Sequence, residues 1–225
     1  IIRVLDSRIN YLVKRRFTRR EITHTDLLPK KFRNELITRY FVARVRNPRD
    51  VIMFFNKCIE SAPNLSRLSS KEFNFAEGEY SIQRLRALGD EWSADYPSLL
   101  ESVRILNNKP ESFKLSTIQD DQIIELCLNI AINNPNGTGV LQQASLKLVE
   151  NIYSPFEFKK LLFHVYFKVG LIGLKINSFE CPIWFEEIGK SITSSDINND
   201  VSIVIHPIFY IVLSIKLTRK IDDER

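Results

Sequence analysis

Apolar residues recur at helical spacing along most of this chain, with turn-forming residues between the runs. Ile2, Leu5, Ile9, Leu12 and Val13 make a stripe of period 3.6 within residues 1–17. A polar break through Thr23, His24, Thr25 and Asp26 to Pro29 follows, and residues 32–45 alternate apolar and basic without a clear period. Asn47 as N-cap, Pro48 at the first helical position and Asp50 at the third predict a helix start. Val51, Ile52, Phe54, Phe55, Cys58 and Ile59 would be its buried face, and Pro63 its end. Ser69 with Glu72 reads as the capping box of a long helix carrying Phe73, Ala76, Tyr80, Ile82, Leu85, Leu88 and Trp92. Pro97 opens a short helix through Leu100 and Leu106.

Residues 107–113 read as a linker, which divides the chain into domains at 1–106 and 114–225. Beyond it, Thr117 with Asp120, the turn at residues 134–139, and Ser154 with Pro155 and Glu157 mark three further helices. Gly170 closes the third. Three β-type segments come next, at Leu171–Ile176, Ile183–Phe185 and Val201–Ile205, and Pro207 is expected to start a last helix through Ile215. Three helices followed by a hairpin is the order of a winged-helix domain. The fold class is therefore mainly α, a helical domain followed by a winged-helix-like α+β domain.

Composition adds limits. Of the 225 residues, 44% are hydrophobic and 26% charged, which excludes collagen-like and disordered chains. The three cysteines are unpaired in spacing, so the reading is a reduced, cytoplasmic setting. The longest apolar run, residues 201–215, is short of a membrane span. Ile1 opens inside a helix, so the expectation is a piece of a longer protein. The net charge of +5 is uneven: residues 1–50 carry +9, residues 51–110 carry −1 and residues 111–225 carry −3. The run Arg15, Arg16, Arg19 and Arg20 is the candidate contact for nucleic acid or another phosphate.

Catalytic signatures are missing from the sequence. No Gly-rich loop ends in Lys-Ser or Lys-Thr, and His24, His164 and His206 stand alone, so no metal site is expected. Acidic pairs such as Asp120-Asp121 and Glu186-Glu187 read as helix starts and surface turns. In the third helix of the winged-helix region, Phe158, Leu161, Leu162, Val165 and Val169 face the core. Phe156, Phe163 and Phe167 form a second apolar stripe, which predicts packing on another domain or subunit rather than base reading.

The stretch Arg46-Asn47-Pro48-Arg49-Asp50-Val51-Ile52 resembles the Arg-Pro-Arg-Asp-hydrophobic motif in the lid region of bacterial AAA-like P-loop ATPases, several of them associated with anti-phage defence. Ala76-Glu77-Gly78-Glu79-Tyr80-Ser81, Glu91-Trp92 and Tyr96-Pro97 follow in the same order, and Gly170 to Leu174 with His206-Pro207 is similar to that family's tail. The resemblance implies the non-catalytic C-terminal portion of an ATPase, whose ATP and Mg would be held by an upstream P-loop domain. It makes Arg49, helped by Arg46, a nucleotide sensor, and it implies a homo-oligomer or an effector protein as partner. Asn47 stands where that family usually has Arg. The alternative is a self-standing winged-helix protein that binds nucleic acid through its basic first segment.

Overall fold

The computed structural model describes residues 1–16, 20–45, 48–62, 66–133, 137–177, 181–185 and 192–217, with residues 14–16 described by backbone alone. The described chain is mainly helical and forms two compact units, Ile1–Gln83 and Arg84–Arg225.

In the first unit, α1 (Ile2–Arg16) buries Leu5 and Ile9 while Leu12 stays 45% exposed. The polar break after α1 is fastened by side chains. Asn10 donates to the Ile22 carbonyl (2.8 Å) and accepts from the Ile22 N–H (2.9 Å). His24, at the head of α2 (His24–Leu27), is buried with Nδ1 2.9 Å from Asp6 and Nε2 2.9 Å from Thr38. Residues 30–45, which show no clear period, form a hairpin of β1 (Lys31–Phe32) and β2 (Glu35–Leu36), then α3 (Ile37–Arg44). The hairpin turns through Arg33 (φ 49°) and Asn34 (φ 66°), the left-handed pair that a two-residue turn requires. Next come α4 (Pro48–Glu60) and α5 (Ser70–Glu91). Pro48 does open α4, whereas the expected cap Asn47 lies outside the described residues. Ser69 and Glu72 form the expected cap of α5: the Ser69 N–H donates to the Glu72 carboxylate at 3.0 Å.

The second unit starts with the remainder of α5, then α6 (Leu99–Ser102), β3 (Ser112–Lys114), α7 (Asp120–Asn133), α8 (Val140–Val149), α9 (Pro155–Lys168), β4 (Ile172–Lys175) and β5 (Ser202–Ile205). β5 lies between β3 and β4 and is antiparallel to both, with Phe113 opposite Ile203 and Leu174 opposite Ile203 on the other side. Three helices and a hairpin therefore occur in the expected order, and β3 completes the sheet. Gly170 (φ +78°) turns the chain from α9 toward β4. Gly173 is needed for contact, since a Cβ there would meet the Trp184 ring at 2.8 Å.

Four details correct the sequence reading. Residues 107–113 are held within the second unit: Asn108 N–H donates to the Leu213 carbonyl and Lys216 N–H to the Lys109 carbonyl, and the boundary between units falls inside α5 instead. Thr117 does not cap α7; its hydroxyl donates to the Lys114 carbonyl, and α7 starts at Asp120. Ile183 makes an isolated bridge to Leu174 rather than a strand. The last helix is one 3-10 turn, Pro207–Phe209, because Ser214 (φ 53°) reverses the chain toward the Pro110–Lys216 bridge.

The cap of α9 is complete, with Ser154 Oγ accepting from the Glu157 N–H and the Glu157 carboxylate accepting from the Ser154 N–H at 2.7 Å. Those bonds from Ser154 hold the Glu157 pKa below the ordinary glutamate value of 4.5, and Ser69 does the same for Glu72. Both carboxylates thus contribute stability that is complete above about pH 4.5 and is lost as pH falls through the lower folded-state values. Ser154→Ala should cost about 1 kcal/mol in urea denaturation at pH 7, and the cost should shrink below pH 4.

Candidate functional site

The two stretches that carry the resemblance meet in the first unit. Asp50, at the third position of α4, is buried and accepts a hydrogen bond from the Tyr80 hydroxyl of α5 at 3.0 Å. A carboxylate at a helix start normally turns back to the open N–H groups, but this one is also spent on a neighbouring helix. The Tyr80 ring lies parallel to Phe54 (centroids 5.2 Å apart), and Phe54 to Phe41 (4.6 Å), so the polar contact sits at the end of an aromatic stack. Arg49 precedes Asp50 and is exposed on the same first turn.

One turn before Tyr80 on α5, Glu77 places a carboxylate in the interior at 5% exposure. Its neighbours satisfy it. The Tyr40 hydroxyl lies 2.8 and 2.9 Å from its two oxygens, Arg44 Nε donates to Oε1 at 2.8 Å, and Arg33 Nη2 lies 3.7 Å from Oε2. Arg44 also donates to the Tyr40 oxygen at 2.9 Å, with its guanidinium 4.5 Å from the Tyr40 ring centre. Arg33 is anchored by Asn74 at 3.0 Å. Burial works against the Arg44 charge, but Tyr40 and Glu77 outweigh it and raise its pKa. Burial, and then the Glu77 charge, push the Tyr40 hydroxyl and the Cys58 thiol well above their usual values, so both stay protonated. This cluster is a buried hydrogen-bonded network that ties the hairpin and α3 to α5.

The other expected sites are spread along the chain. Arg46 and Arg19 lie outside the described residues, as do the side chains of Arg15 and Arg16. Arg20 is exposed, and its charge adds to the hydrogen bonds from Thr23 that lower the Asp26 pKa. The aromatic stripe of α9 is corrected. Phe163 is fully buried between Phe113 (6.4 Å) and Tyr166 (5.4 Å), and Phe167 is buried against Phe185 (5.8 Å), so this chain's own sheet and loop cover them. Only Phe156 stays half-buried, with Lys160 over its ring at 5.2 Å.

The cations of α9 are also committed inside the second unit. Lys159 is buried and donates to the Ile118 carbonyl (2.6 Å) and Asp120 (3.1 Å), and Lys168 lies 5.9 and 5.8 Å from the Trp92 and Tyr96 rings. His164 Nε2 is 3.2 Å from the Ile192 carbonyl. The three cysteines are free, with Cys127 pushed up to about 12 by burial. Among the described residues no group of three or more His, Cys, Asp or Glu could hold a metal ion, and no helix is long and apolar enough to cross a membrane.

Residues 1–89 match the family model of the FunZ-associated C-terminal helical domain. The match covers the whole first unit, including Arg33, Tyr40, Arg44, Arg49, Asp50, Glu77 and Tyr80, and it agrees with the helical character found there. No curated protein and no solved structure matches the chain.

The Glu77 network was missed by the sequence reading although a signal existed. Glu77 falls four residues after Phe73 and three before Tyr80, a charge on the apolar face of α5 that needs an internal counter-charge. Glu77→Ala should cost about 3–5 kcal/mol in urea denaturation, because it leaves the Arg44 charge buried without its partner. Tyr80→Phe, which keeps the ring stack, should cost only about 1 kcal/mol.

Proposed function

We propose that this chain is the non-catalytic C-terminal portion of a P-loop ATPase. It couples the nucleotide state of a separate P-loop domain to contacts with a partner or another subunit, and one setting for such coupling is anti-phage defence. The observation that carries the reading is the Asp50–Tyr80 hydrogen bond. It joins the two most distinctive stretches of the resemblance and fixes the first turn of α4, on which Arg49 is exposed. A guanidinium held on a braced helix end can stabilise charge on a transferring phosphoryl group and report its departure. The match of residues 1–89 to a C-terminal helical domain is consistent with this placement.

In this division of labour the phosphate-binding loop and the magnesium ligands belong to the other domain. Arg49 and its brace are what this chain contributes. Reading of base edges by α9 gains no support, because Lys159 is buried and its other cations lie against aromatic rings of the same unit.

The test uses the native gene product with whatever precedes Ile1. Arg49→Ala should lower ATP turnover at least about tenfold while the far-ultraviolet spectrum stays that of the folded protein. The chain of residues 1–225 alone should not hydrolyse ATP. Unchanged turnover in the Arg49 variant, or hydrolysis by residues 1–225 alone, would contradict the proposal.

A further inference from the structure

The sequence predicts an apolar stripe on α1 and a buried face on α4, yet Leu12 and Ile59 remain 45% and 40% exposed. They line an open groove of about 450 Å³ between the two helices, within the first unit. Leu5, Ile9 and Leu12 line it from α1, and Ile52, Phe55 and Ile59 from α4. Its volume is in the range of small-ligand sites, roughly 300–1,000 Å³. The α1 lining runs from Leu5 to Val13, about 12 Å of helix, so the space is elongated.

Among the described residues, two charged side chains line the groove, Arg8 and Glu60. Arg8 lines the groove and makes no hydrogen bond or ion pair among the described residues. The acid nearest to it on α1, Asp6, is held by His24 at 2.9 Å. Glu60, on α4, is paired with Lys57 at 2.8 Å, which leaves Arg8 as the unpaired charge among the described lining residues. The remaining polar lining among the described residues, Asn56 and Ser66, is neutral. An uncompensated guanidinium beside an elongated apolar surface calls for an anion attached to an alkyl chain.

We infer that the groove between α1 and α4 binds an anionic amphiphile, its alkyl chain along Ile9, Leu12, Ile52 and Ile59 and its carboxylate or phosphate head on Arg8. The chain's apolar surface supplies the affinity, and Arg8 supplies the selection against neutral chains of the same length. This site is independent of the nucleotide reading, since Arg49 takes no part in it.

The test is isothermal titration of octanoate, decanoate, decyl phosphate and decanol, below their micelle concentrations, into the chain of residues 1–225. Decanoate or decyl phosphate should bind one to one, and the tighter of the two identifies the head group. Affinity should rise about fourfold per added methylene from octanoate to decanoate. Decanol should bind about tenfold more weakly, and Arg8→Glu should weaken decanoate about tenfold while leaving decanol unchanged. Leu12→Trp, at a position open to solvent, should fill the groove and abolish binding while the far-ultraviolet spectrum stays the same. Absence of saturable binding by either anion at millimolar concentration, equal binding of decanol and decanoate, or full binding by the folded Leu12→Trp variant would overturn the inference.

Discussion

The first unit depends on one buried carboxylate. An ionised Glu in an apolar interior is tolerated only when hydrogen-bond donors and a counter-charge surround it. Glu77 has these from α3 and from the hairpin before it, through Tyr40, Arg44 and Arg33. The arrangement explains otherwise unrelated features. The turn at Arg33 and Asn34 adopts left-handed backbone without glycine, in a place where Arg33 reaches Glu77 and Asn74. Arg44 is a cation at 8% exposure in a segment whose other cations are mostly at the surface. The Cys58 thiol is held protonated by burial and the same negative charge, so it packs as a small apolar group.

The second polar contact of α5, Tyr80 to Asp50, passes this rigidity on to α4. Glu77 and Tyr80 are three residues apart and so lie on one face of the helix, where one ties down α3 and the other α4. Arg49 is thus exposed on a turn whose neighbouring residue is fixed from inside. A side chain that must read a phosphate needs such a base, because a loosely held guanidinium would lose in ordering entropy what it gains in contact. The proposed sensing role follows from that mechanical arrangement together with the sequence resemblance.

Much of the helical pattern was legible because helix starts are written in local chemistry. Ser69 with Glu72, and Ser154 with Pro155 and Glu157, needed no knowledge of the rest of the chain. The hairpin at Lys31–Leu36 was not legible, since Arg33-Asn34 lacks the usual glycine and its strands have two residues each. The C-terminal error has a long-range cause: Pro207 does start a helical turn, but pairing of residues 213–216 with residues 108–111 ends it. On α9 the second apolar stripe pointed to packing on another domain or subunit, whereas Phe113 and Phe185 of the same chain cover Phe163 and Phe167. In the first unit the opposite happened, for Ile59 of the expected buried face of α4 lines an open groove together with Leu12 of the α1 stripe.

The most direct test of this account is a double-mutant cycle between Arg44 and Glu77, using Arg44→Met, Glu77→Leu and the pair, followed by urea denaturation. Each single change should be strongly destabilising, and the pair should cost less than their sum by about 2 kcal/mol or more, because removing both partners leaves no stranded charge. Costs that add to within about 0.5 kcal/mol would show that Arg44 and Glu77 act separately. The buried carboxylate would then not be what holds α3 against α5.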